Sequence, residues 1–182
     1  MRIEQAIWNR ELGWRREPPG ALTDSFQLVL IFGATSVLKD QKVFQEIRGQ
    51  YPSAHMLGCS TAGEIAGTQV FDDSLVTTAI AFESTRIEGA RIALSEAETA
   101  FHAGERLAMS LSKEGLVHVF VLSDGLKVNG SDLVKGLTKN LPAKVTVTGG
   151  LAGDGDRFRE TLVFWDGSPE KRYNRCFGLV RK

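Results

Sequence analysis

The chain has 182 residues, with 22 Lys+Arg against 22 Asp+Glu and a formal net charge of zero. That length suits one domain with a core that needs no metal or disulfide, and 42% hydrophobic against 24% charged residues excludes a disordered chain. The charge balance excludes a generally basic nucleic-acid binder; two distant cysteines, Cys59 and Cys176, exclude a disulfide framework; and no apolar run approaches the ~18 residues of a membrane span.

In chain order, residues 1–16 mix Arg2, Arg10, Arg15 and Arg16 with Glu4 and Glu11 and lack the apolar centre of a signal peptide, so a cytoplasmic location is expected. Trp8 and Trp14 are expected to cover a core edge, ahead of a linker-like Pro18-Pro19-Gly20. Residues 27–32 form an apolar run that reads as a strand buried on both faces. Ser36 is placed to cap a helix reaching Gln50, with Val43, Phe44, Ile47 and Tyr51 on one face and Pro52 as its stop. A short strand follows at 55–59. Residues 75–82 and 87–94 read as strands, joined as a hairpin through Glu83-Ser84-Thr85. Ser95 and Glu98 have capping-box spacing, and the helix after them turns Phe101, Gly104, Leu107, Ala108 and Leu111 to one side. A strand at 117–122 precedes a helix capped by Asn129, with Leu133, Val134, Leu137 and Leu141 inward. Strands at 144–148, 161–165 and 176–180 complete the chain. The expected fold is α/β: a mixed β-sheet domain of about eight strands covered by about three helices, the sheet open to splitting into a layered sandwich.

Glycine is the unusual component, at 19 residues, and nine of them fall in three segments: 58–67, 123–130 and 148–155. Each segment begins where a strand is expected to end. Glycine there lets backbone approach a ligand, and open α/β sheets bind ligands at the carboxyl ends of their strands. Hydroxyl side chains (Ser36, Ser60, Thr61, Ser123, Thr148) and carboxylates (Glu64, Asp124, Asp154, Asp156) accompany the glycines. This is the profile of a polar small-molecule pocket.

Signs of catalysis are weak. Cys59 needs a base, and His55 lies four residues back on the same strand, ~13 Å away at ~3.3 Å per residue. His102 and His118 reach Cys59 only through tertiary folding. Ser123-Asp124-Gly125 is no nucleophile elbow, and no phosphate-binding glycine motif occurs. Asp72, Asp73, Asp154 and Asp156 would hold a hard cation only if they converged, and no metal site is expected. Covalent haem attachment lacks its Cys-x-x-Cys-His motif, whereas noncovalent haem needs one axial ligand, for which His55, His102 and His118 are unranked candidates.

Three motifs in this order carry a family resemblance: Gly58-Cys-Ser-Thr-Ala-Gly-Glu-Ile65, Ser123-Asp-Gly125 with Asn129-Gly130, and Thr148-Gly-Gly-Leu-Ala-Gly-Asp-Gly155. Phe158 and Thr161-Leu-Val163 extend the third. The sequence resembles the N-terminal domain of the FIST family over about residues 27–167. The resemblance implies a ligand-sensing module of signal transduction, with histidine kinases, methyl-accepting receptors or diguanylate-cyclase-type proteins as partners, and amino acids as proposed ligands. It also implies an alternative, a haem-binding nitric-oxide sensor, whose subgroup the Trp8/Trp14 start and Ser123-Asp-Gly-Leu126 resemble; the residues themselves leave a further alternative, a Cys59- or Ser123-dependent hydrolase or transferase. The family's usual N-terminal strand and helix are not evident before Gln27, so 1–26 is assigned as an N-terminal extension and 27–182 as the sensory domain. Family members continue into a second domain, so a short form or a piece of a longer protein is expected. The ligand site is expected to comprise Gly58, Cys59, Ser60, Thr61, Gly63, Glu64, Ser123, Asp124, Asn129, Gly149, Gly150 and Asp154, with its acids fixing an amine or guanidine. No nucleic-acid partner and no membrane span are expected.

Overall fold

A computed structural model of the chain describes residues 1–16 and 26–181; the Pro18-Pro19-Gly20 linker lies outside the described residues. In chain order the elements are β1 (Arg2–Asn9), β2 (Gly13–Arg16), β3 (Leu28–Gly33), α1 (Thr35–Leu38), α2 (Gln41–Gln50), β4 (His55–Ser60), β5 (Glu64–Ala66), β6 (Gln69–Phe71) and β7 (Ser74–Ala81). There follow β8 (Thr85–Ala93), α3 (Ala100–Ser110), β9 (Leu116–Ser123), α4 (Gly130–Asn140), β10 (Thr146–Leu151), β11 (Val163–Trp165) and β12 (Tyr173–Arg181).

The fold is mixed α/β, split into a layered sandwich. A six-stranded sheet, ordered β11-β4-β3-β7-β1-β2, stacks on a four-stranded sheet, ordered β10-β9-β12-β8; β5 and β6 form a separate hairpin. Three cores explain the layering. Val29, Ile31, Val37, Ile47 and Leu75 join the larger sheet to α1 and α2. Leu28, Leu57, Leu122, Val163 and Phe177 join sheet to sheet. Val119, Val121, Leu107, Leu133 and Leu137 join the smaller sheet to α3 and α4. β3 and β9 therefore read as continuous apolar runs because both of their faces are covered. Helices α3 and α4 cross where glycines meet: a Cβ at Gly104 would sit 2.2 Å from the Leu133 carbonyl oxygen, and one at Gly136 2.0 Å from that of Phe101.

Several local expectations change. β7 and β8 form no hairpin, because β1 and β3 occupy both edges of β7 while β8 pairs with β12; residues 82–84 carry the chain between sheets. The first helix is broken in two: Ser36 caps nothing, and the Asp40 side chain accepts from the Lys42 N–H to start α2. The cap of α3 is Thr99, bonded to the His102 N–H, and Leu94–Glu96 form a 3-10 turn where the capping box was expected. Asn129 does cap α4, accepting from the Asp132 N–H at 3.2 Å. Residues 2–16, where no strand was evident, form a hairpin whose first strand pairs with β7 along its whole length. Trp8 and Trp14 pack on the edge of the core under α2, and Trp14 Nε1 donates to Glu46.

Candidate functional site

All four parallel-oriented strand ends come together. β3 and β4 run parallel, as do β9 and β10, and the loops that leave them are bonded to one another. The Thr61 N–H donates to the Gly33 carbonyl at 3.1 Å, the Gly153 N–H to the Ser60 carbonyl at 2.8 Å, and the Ala152 N–H to the Ser123 carbonyl at 2.8 Å. The Gly153–Ser60 bond ties the larger sheet to the smaller one, and the other two close the strand ends of each sheet at the same rim.

Most of the expected site residues lie beneath that rim. Cys59, Ser60, Glu64, Ser123, Asp124 and Asp154 are all buried. The Ser60 hydroxyl accepts from the Leu162 N–H. Glu64 accepts from the Thr61 hydroxyl and from the N–H and hydroxyl of Ser74. Asp124 accepts from the N–H groups of Leu126, Lys127 and Arg172. Asp154 takes the Thr35 hydroxyl at 2.7 Å, Arg157 Nε at 3.1 Å, and the N–H groups of Arg159 and Glu160. Burial pushes the Asp154 carboxyl up, but the hydrogen bonds from Thr35, Arg159, Glu160 and Arg157 outweigh it and hold the group down at about 2. The acids expected to fix an amine thus hold the loops in shape. Gly58 lies within β4 under Phe164, Asn129 caps α4, and Gly149 and Gly150 sit in the exposed strand β10 and not in a loop.

Above them is an open cleft of about 390 Å³. Thr61, Gly63 and Glu64 form one wall, Gly155, Asp156 and Arg157 the opposite wall, and Asp72 and Asp73 close the third side. Asp72, Asp73 and Asp156 are exposed, and the Arg157 guanidinium is half-exposed. The cleft offers three free-facing carboxylates, one cation and glycine backbone: a set that can meet an ammonium and a carboxylate together. Sequence reasoning brought Thr61, Gly63 and Glu64 to this place and missed Arg157; its only signal was its place after Gly155-Asp156, among several arginines.

Neither candidate nucleophile has activating surroundings. Burial pushes the Cys59 thiol up to about 12, and that of Cys176 likewise, although a hydrogen bond with the Ala90 backbone and nearby Lys113 oppose it there. The Ser123 hydroxyl donates to Asn174 Oδ1 at 2.6 Å. His55 stacks on Trp165 with Nδ1 2.6 Å from Asp166, and both ring nitrogens of His118 bond threonines, Thr146 and Thr148. His102 lies over Glu98, and none of the three lines the principal clefts. Among the described residues no group of three or more His, Cys, Asp or Glu is placed to hold a metal ion, and no helix is long and apolar enough to cross a membrane.

The FIST N domain family matches residues 27–177, most of the chain and all four strand ends at the rim. The chain belongs to the FIST family. FIST domains are sensory domains of signal-transduction proteins, and the FIST motifs named above account for the rim: the first supplies Thr61–Glu64, the second Ser123 and Asp124, the third Gly153 to Gly155. No curated protein matches the chain.

Proposed function

We propose that this FIST domain is a cytoplasmic, non-catalytic sensor that binds an amino acid or similar small polar molecule in the rim cleft. The observation that carries the reading is the pairing of Asp72, Asp73 and Asp156 with Arg157 around one cleft on the loops of both sheets. The carboxylates take the ligand's ammonium or a basic side chain; Arg157 and the backbone of Ala62 and Gly63 take its carboxylate. Glu64, Asp124 and Asp154 act from below, as pegs that preorganise the walls. A ligand spanning the walls favours the conformation in which the two loops are fixed relative to one another, and that difference is what a histidine kinase or diguanylate-cyclase-type partner reads.

Thermal unfolding in the presence of each of the twenty amino acids tests this. At least one raises Tm, and Asp156→Asn with Arg157→Gln abolishes the rise. A flat response across the panel contradicts the reading.

A further inference from the structure

The two sheets differ in width, and the difference leaves a vacant strand position. β11 packs on β12 and β4 on β9, so the sheet orders run in register and β7, β1 and β2 project past the β10 edge. The face they turn toward the smaller sheet carries Ile80, Val76, Ile3 and Ile7 around a bonded Gln5–Thr78 pair, with Arg15 at its outer margin. Ile80 of β7 lies beside Leu28, and Leu30 and Phe32 follow on β3, all in the inter-sheet core; across β7 their rows continue to Ile3, Gln5 and Ile7 of β1. Yet Ile3 is 52% exposed. A cleft of about 330 Å³ runs over this floor, between Gln5, Phe32, Val76 and Thr78, and ends at Thr61 and Glu64 beside the acidic rim.

Beside it, β10 pairs with β9 alone. Its residues from Thr148 to Leu151 are exposed, and its six residues carry no charge and no proline. The other edges are guarded: β8 by Arg86, Glu88 and Arg91, β2 by Arg15 and Arg16, and β11 by its three-residue length. β5 packs on one end of this floor and leaves the rest open. An unguarded edge beside a half-open floor bearing Ile3, Ile7, Val76 and Ile80 offers backbone hydrogen bonds in one direction and side-chain burial in another, which only an extended polypeptide satisfies together.

The geometry points to β10 as a docking edge for one extended peptide segment of a partner protein, with β-branched side chains on the floor and a basic residue at the end that meets Asp72, Asp73 and Asp156. A second copy does not fit: a twofold axis joining two β10 edges puts both projecting flanks on the same side of the joined sheet, in each other's space. An antiparallel segment begins at the acidic end, because β10 runs toward it. The edge pairing does not rest on amino-acid binding in the rim cleft, but the segment's basic residue and a bound amino acid compete for Asp72, Asp73 and Asp156.

The test uses the full chain and the probe peptide acetyl-Lys-Val-Thr-Val-Thr-Val-Thr-amide, read by amide hydrogen exchange. Exchange across residues 146–151 slows by at least ~10-fold with the peptide. The protection weakens with salt and disappears in Gly150→Lys, a position where a Cβ meets nothing within 4 Å, so that variant folds and guards the edge. Unchanged exchange at β10, or equal protection in Gly150→Lys, overturns the proposal. So does a concentration-dependent protection of β10 with no peptide present, since it makes a second copy the occupant.

Discussion

The Thr35 hydroxyl donates to Asp154 Oδ1 at 2.7 Å, joining the first turn of α1 to the loop after β10 across 119 positions of sequence. It is a side-chain counterpart of the backbone bonds at the rim, and it places a deeply held carboxylate directly under the Arg157 wall of the cleft.

That carboxylate makes stability depend on acid. Its group is held at about 2, below the ordinary 3.8, so its contribution is complete above pH 3.8 and is lost as pH falls toward 2. Asp154→Asn leaves buried N–H groups poorly matched and costs about 1–3 kcal/mol at neutral pH. Thr35→Val costs less, and the double variant loses less than the sum because both changes cut one network. Urea unfolding between pH 2 and 5 checks this: the wild-type slope in that window flattens in Asp154→Asn. An equal slope in both proteins contradicts it.

The thiols are the second case. With Cys59 and Cys176 buried and both pushed up to about 12, native protein at pH 7 leaves Ellman's reagent unconsumed, and unfolded protein consumes it at both sites. Rapid reaction of one thiol in the native state restores the case for Cys59 as a nucleophile.

Packing of α3 on α4 depends on Gly104 and Gly136, where an added methyl meets backbone and not a flexible side chain. Gly104→Ala and Gly136→Ala each lower stability by about 2–3 kcal/mol despite alanine's better helix propensity. Chemical denaturation measures the loss; a neutral or stabilising effect contradicts the close crossing.

Legibility followed locality. The run at 27–32 was readable because both of its faces are buried, and Asn129 because its cap bonds a residue three positions on. The false hairpin between β7 and β8 shows the limit: nothing near Glu83 records that β1 arrives from the other end of the chain to pair with β7. β1 itself was hidden because its inward face mixes Ile3 and Ile7 with Gln5. At the site, the glycine segments marked the correct strand ends, but Gly149 and Gly150 resembled a turn while extending a strand. Whether Asp124 and Asp154 faced a ligand or their own loops depended on backbone turns that residue type does not encode.

Amide chemical-shift mapping with L-arginine as the probe shows where the ligand sits. A ligand in the rim cleft gives saturable shifts clustered at residues 61–64, 72–73 and 155–157, lost in Asp156→Asn with Arg157→Gln. Shifts centred instead on the larger cleft between α2 and residues 168–171, or no saturable shifts at all, contradict that placement.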